Sequence, residues 1–339
     1  MKIFSMKKIY VLLALSLLLA LLLCICVGSV YIPPKDIFYI ISNAIRHIPQ
    51  ENAAKSSIIL SVRIPRVLCA GLTGACLSLS GACMQGLLKN PLADGSTLGI
   101  SSGASLGAVC AIAFGIRLPF LPISQTGSLS CLFAFACLFG ILFLSYRLDH
   151  TLSSNTVILV GIVFSMFISS IISLIITAFP EKIKSITFWT FGSFSGTGYG
   201  DVAVLFTGLC IFGFMLLHLA RELDAFSIGE ETAVSVGVNT KKVRLLVMIS
   251  SSFLVGLCVS ISGPIGFVGL VTPHIIRLLT GPSHKKLLPC CLFGGAIFAL
   301  LCDLLSRILF SPVELPIGTI TSFVGTIVFL AIYSKRKLH

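Results

Sequence analysis

Ten apolar runs, parted by short polar breaks, carry most of this 339-residue chain. They lie near residues 9–30, 67–88, 98–116, 129–146, 156–179, 202–220, 245–262, 267–280, 287–311 and 316–333. Crossing a hydrocarbon layer of about 30 Å takes about 20 helical residues, and most of the runs are that long. Run 267–280 is too short to cross unaided and holds Pro273, so it reads as a half-helix. Lipid offers no water to backbone N–H and C=O groups, so the runs are expected to be helices. The expected fold is all-α: a polytopic integral membrane protein of about ten transmembrane helices, forming one domain over 1–339. The first run, Ile9 to Val30, follows Lys2, Lys7 and Lys8. It exceeds the roughly 7–15 residues of a signal-peptide core, so it reads as an uncleaved span. A lipoprotein cleavage before Cys24 would want a small residue where Leu23 stands.

Composition agrees with the pattern. Only 11% of residues are charged, 56% are hydrophobic, and mean hydropathy is +1.06. An average soluble domain has about 25% charged residues. A cytosolic enzyme, a disordered chain and a disulfide-rich secreted scaffold are thereby excluded. The net charge of +12 does not point to nucleic acid, because no basic stripe with interleaved aromatics occurs. The basic residues sit in clusters between the runs, and topology accounts for them. With ten spans both termini share a side, and fifteen of the 24 Lys and Arg then lie there, including Lys335, Arg336 and Lys337. The positive-inside rule makes that side cytoplasmic.

The chain repeats itself. Gly74-Ala-Cys-Leu-Ser-Leu-Ser-Gly81 is similar to Gly256-Leu-Cys-Val-Ser-Ile-Ser-Gly263 at an offset of 182, and Pro91 and Pro273 each follow ten residues after the last Gly. The two copies fall on runs of opposite direction, which makes an inverted repeat, an arrangement common in transporters. The longest hydrophilic break, about 221–244, is cytoplasmic in this topology. There Ser227 with Glu230 has capping-box spacing, and Gly237 is placed to end a short helix. The loop is either a capped docking helix or a plain surface turn.

The chemistry that is missing is informative. No phosphate-binding G-x-x-x-x-G-K-[ST], H-E-x-x-H or G-x-S-x-G occurs. Thirteen cysteines include no C-x-x-C; Cys69, Cys76 and Cys83 share a helix face, as small packing residues do. No metal site, cofactor or catalytic group is expected, and the chain does not read as an enzyme. Of six histidines only His274, near Arg277, sits in an apolar run, which reads as structural. Asp303 and Arg307 can pair at i,i+4. No buried run of Asp, Glu or His suggests proton coupling, so the energy source is expected on another subunit. Arg63 and Arg66 flank Pro65 with no acidic neighbour and read as exposed cations: snorkelling anchors, or a docking site for an acidic partner.

The segment from Arg63 to Ala108 resembles the permease family of ABC importers for iron-siderophores, haem and cobalamin, the FecCD type. The likeness rests on R-I-P-R at 63–66, L-S-L-S-G-A-C-M-Q-G-L at 77–87, N-P-L-A-D at 90–94 and L-G-I-S-S-G-A at 98–104. It continues in G-E-E-T-A at 229–233, S-V-G-V at 235–238, S-G-P-I-G-F-V-G-L-V-T-P-H at 262–274, R-L-L-T-G at 277–281 and E-L-P-I-G at 314–318. The resemblance implies ten helices per subunit, a second permease subunit (an identical copy or a sister permease), two ATPase subunits and an extracytoplasmic substrate-binding protein. It implies that Arg63, Arg66 and, less directly, Arg307 dock the binding protein. Gly229, Glu230, Glu231, Thr232, Ala233, Val236 and Gly237 would form the ATPase coupling helix. Asn90, Leu92, Ser154 and Asn155 would form an inner gate, and Ser165, Ser169, Ser170 and Ser173 would line the pathway. Iron-siderophore is the first expected cargo, with haem or cobalamin as the alternative. An ion-coupled secondary transporter would explain the helices but not the E-E-T-A loop. Reversing Arg63 and Arg66 to Glu is expected to weaken docking and spare assembly.

Overall fold

A computed structural model describes residues 5–28, 32–49, 52–94, 99–116, 124–150 and 152–337. Lys2, residues 95–98 and the side chains of Ser154, Lys335, Arg336 and Lys337, all invoked above, lie outside the described residues. The described residues form helices joined by loops and turns, with no strand among them. The helices are α1 (Met6–Cys26), α2 (Pro34–Ile45), α3 (Ala53–Ser57), α4 (Ile64–Leu88), α5 (Ile100–Phe114), α6 (Gln125–Leu148), α7 (Ser154–Ala178) and α8 (Ile183–Thr190). Then come α9 (Tyr199–Gly208), α10 (Phe214–His218), α11 (Ala220–Ile228), α12 (Glu230–Ser235), α13 (Thr240–Ser262), α14 (Val268–Thr280), α15 (His284–Ile308) and α16 (Ile317–Lys337).

The ten apolar runs map one to one onto these elements. Seven helical stretches among the described residues are long and apolar enough to cross a membrane: Met6–Cys26, Ala53–Leu88, Thr126–Leu148, Asn155–Ala178, Tyr199–His218, Thr240–Ser262 and His284–Ile308. The remaining three runs are the shorter Ile100–Phe114, Val268–Thr280 and Ile317–Ile332. The half-helix reading of 267–280 agrees with α14, whose 13 residues rise only about 20 Å. The stretch Ala53–Leu88 is longer than its run because Pro65 does not end it. Proline has no N–H for the carbonyl four residues back. The helix absorbs the loss by widening into a π turn over Ile58–Arg63, just before the proline.

Helix α4 is the axis of the molecule. Nearly every side chain from Pro65 to Leu88 is buried, because α13, α14 and α15 surround it. Small residues permit this. A Cβ on Gly74 would collide with the Gly295 carbonyl, and one on Gly81 with the Gly269 carbonyl. Backbones in that contact gain dispersion that larger side chains would forbid. The buried cysteines Cys69, Cys76, Cys83, Cys258, Cys290 and Cys291 pack here as small apolar groups.

The repeated motif lies on the two central helices, and they run antiparallel. Cys258 Sγ lies 3.9 Å from the Thr73 carbonyl, and Ser80 Oγ lies 3.5 Å from that of Ser251. One index rises as the other falls, as an inverted repeat requires. Helices α5, α6 and α7 form a side layer with its own small core of Cys137, Ile141, Val160 and Ile168.

Candidate functional site

Charged groups gather at the two ends of the bundle. One end joins the last turn of α1, the first turns of α4 and the last turn of α15. Arg66 Nε donates to Asp303 Oδ1 at 3.0 Å, and its Nη1 donates to both oxygens of Glu314 at 2.8 Å. Arg307 pairs with Asp303 Oδ2 at 3.1 Å, which realises the i,i+4 pairing. Arg307 also donates to the Cys24 and Val27 carbonyls, and Arg63 to those of Ile25 and Cys26. These are the carbonyls that a helix end leaves without intrahelical partners. Two guanidinium groups thus cap the negative end of α1, an arrangement that contributes about 0.3–2 kcal/mol per charge. The expected exposure of Arg63 and Arg66 is corrected here: Arg63, Arg66 and Arg307 are 5%, 7% and 4% exposed. The acidic partners of Arg66 come from segments far away in sequence.

The opposite end is built from the last turn of α4, the pair α11–α12 and the starts of α7, α13 and α15. Asp224 on α11 caps α15 from outside. Its Oδ1 accepts from His284 N (2.6 Å), with His284 Nδ1 at 2.8 Å, and its Oδ2 accepts from Ser283 Oγ (2.9 Å). An aspartate at a helix N-terminus satisfies orphan N–H groups and favours the dipole. His284, Gln85, Lys89, Ser227 and Arg277 line a cavity of about 290 Å³. Sequence reading singled out His274 and passed over His284, whose Ser283-His284 position at a helix start was the available signal.

Helix α12 stands on this end as a short exposed element. Glu230, Glu231, Thr232, Val236 and Gly237 are exposed, Gly229 is half-buried, and Ala233 is buried. Gly237 takes φ +84°, with Gly237 N donating to Val234 O and Val238 N to Ala233 O, which is a Schellman closure. The expected capping box does not form. Ser227 lies inside α11 and donates back to the Leu223 carbonyl, while Gly229 starts α12. Glu230 turns instead to Arg244 on α13, whose Nη2 donates to Oε1 at 2.6 Å. Arg244 Nη1 also donates to the Leu152 carbonyl at 3.0 Å, in the turn before α7.

The Asn-Pro-Leu turn forms as its chemistry directs. Asn90 Oδ1 accepts from Leu92 N, and Ala93 N donates to the Asn90 carbonyl, both at 3.0 Å. Asn90, Leu92 and Asn155 are exposed. On α7, Ser169, Ser170 and Ser173 are exposed and Ser165 is half-buried against Gly99. Ser165, Ser170 and Ser173 each donate to the carbonyl four residues back, so they soften the face without presenting free donors.

A bundle of membrane-length helices with an inverted repeat and an exposed short helix at one end defines the class: a multi-pass helical membrane transport protein. The FecCD transport family matches residues 16–335, and the chain belongs to that family. It is 41% identical to the uncharacterized ABC transporter permease protein YvrB of Bacillus subtilis, over 94% of this chain and 91% of that one. It is 36% identical to the molybdate import system permease protein MolB of Haemophilus influenzae, over 84% and 82% respectively. A solved structure of an inward-facing metal-chelate type ABC transporter superposes with a TM-score of 0.85 at 32% identity, covering 97% of this chain and 99% of that one. Other relatives are named for hemin, vitamin B12 and iron chelatin transport.

Proposed function

We propose that this chain is the permease subunit of an ATP-driven importer that moves an iron chelate across a bacterial cytoplasmic membrane. Hydrolysis belongs to two separate ATPase subunits, and a second permease subunit completes the pathway. The observation that carries the reading is α12: a capped, solvent-facing helix with exposed Val234 beside Glu230 and Glu231, flanked by exposed Ile228 at the end of α11 and Val236 at its own C-cap. Apolar tips with an acidic rim suit insertion into a partner cleft. The basic clusters Lys241–Lys242 and Lys285–Lys286 support a cytoplasmic reading for this end and for both termini.

The binding protein docks at the arginine end. Arg66 is the arginine there whose partner, Glu314, is one-third exposed, so an incoming carboxylate competes with Glu314 for it. Arg63 and Arg307 act by holding the end of α1. Asn90, Leu92, Ser154 and Asn155 form the inner gate. The exposed serines of α7 line a pathway of mild polarity, which lets a bulky chelate pass without being trapped.

The test is Glu231→Arg in the complex assembled with its ATPase subunits. The expected outcome is continued ATP hydrolysis with uptake lost; normal uptake would remove the coupling assignment. The cargo is identified by the compound that raises the melting temperature of the cognate binding protein. An iron-siderophore is expected, and a response to haem or cobalamin alone would replace it.

A further inference from the structure

We infer that Arg244 is the positioning residue that carries motion from α12 to α7. The inference rests on α12 being the ATPase contact, and it names the route by which that contact reaches the pathway helix.

Arg244 is 3% exposed, yet its two terminal nitrogens serve two different elements. Nη2 holds Glu230, the first residue of α12, at 2.6 Å. Nη1 holds the Leu152 carbonyl at 3.0 Å, two residues before α7 begins. A guanidinium fixes both partners in one rigid plane, so a shift of α12 is delivered to Leu152.

Leu152 is itself unusual. It takes φ +53°, a left-handed conformation that a leucine rarely adopts. Its side chain is 2% exposed, so the strain is held by its surroundings. Local hydrogen bonds also hold the turn: Asp149 Oδ2 accepts from Ser153 N and from Thr156 Oγ1, and Leu152 N donates to Asp149 O. Arg244 thus grips the backbone carbonyl of a residue two positions before α7. Beyond it, α7 packs mainly on α5 and α6 and leaves most of its surface uncovered. Such a helix can pivot at its base with little internal packing to break.

The test is amide hydrogen exchange on the whole transporter, compared with and without ATP-vanadate trapping of the ATPase subunits. In the wild type, trapping is expected to change exchange in 228–238 and in 152–160. In Arg244→Lys, which keeps the charge but offers one donor head, the change in 228–238 persists and that in 152–160 is lost. Glu230→Gln alters a half-exposed side chain and spares folding, and it is expected to weaken the response in 152–160 in the same sense. Full responses of both segments in both variants would overturn the inference while leaving α12 as the ATPase contact. No response in 228–238 of the wild type would instead remove that contact, and the role of Arg244 would fall with it.

Discussion

The two ends of the bundle handle buried charge in different ways. At the arginine end the pairs that share Asp303 are hidden on both sides: the side chains of Arg66, Arg307 and Asp303 are 8%, 4% and 1% exposed, and Glu314, the second partner of Arg66, reaches water at 35%. At the opposite end each buried base meets a carboxylate that water still reaches. Arg244 is 4% exposed against 51% for Glu230, and His284 3% against 35% for Asp224. A doubly buried pair welds helices together, because separating it strands a charge in low dielectric. A half-exposed pair opens at modest cost, because water or a partner takes up the freed carboxylate. The first arrangement suits a fixed frame. The second suits a surface that changes partners during a cycle.

The contrast can be broken most forcefully at the frame. Arg63→Glu with Arg66→Glu would place two carboxylates beside Asp303 and the carbonyl end of α1. Assembly should be lost, as read by the yield of folded protein in detergent; docking lost with assembly intact, the outcome the sequence suggested, would show that the network is not structural. Asp303→Ala leaves two buried arginines short of a partner and should cost about 3–5 kcal/mol, measured as a fall in melting temperature. Asp224→Asn keeps a capping acceptor but removes the charge from the start of α15. It should cost about 1 kcal/mol by the same measurement. Glu230→Gln should change the melting temperature least, by well under about 1 kcal/mol, since its carboxylate is half in water. A cost for Glu230→Gln as large as that for Asp303→Ala would erase the distinction between the ends.

Much of this architecture was legible in the chain, and the limits have physical causes. Span positions follow from hydropathy because lipid forbids unpaired backbone, so each of the ten runs became a helix. The antiparallel central pair was visible in the offset-182 repeat. The Gly237 closure and the Asn90 turn were legible because each is decided within five residues. What failed was anything decided at long range. Arg66 has no acidic neighbour in sequence, but Asp303 and Glu314 reach it from 237 and 248 residues away. Ser227 and Glu230 have the right spacing for a capping box, yet Gly229 breaks the helix between them and Arg244 takes the glutamate. His284 was passed over because nothing near it in sequence announces Asp224.

The depth of α4 also bears on how the protein is made. Arg66 enters the membrane early, but Asp303 is translated 237 residues later. At about 5–20 residues per second, the arginine waits on the order of tens of seconds for its counter-charge. For most of that interval the most enclosed helix of the finished protein lacks α13, α14 and α15. Its glycines have no facing backbone until α13, α14 and α15 arrive. The centre of this molecule is therefore laid down early and completed late, and ribosome stalling before α15 should leave α4 more open to quality-control proteases than in the finished protein.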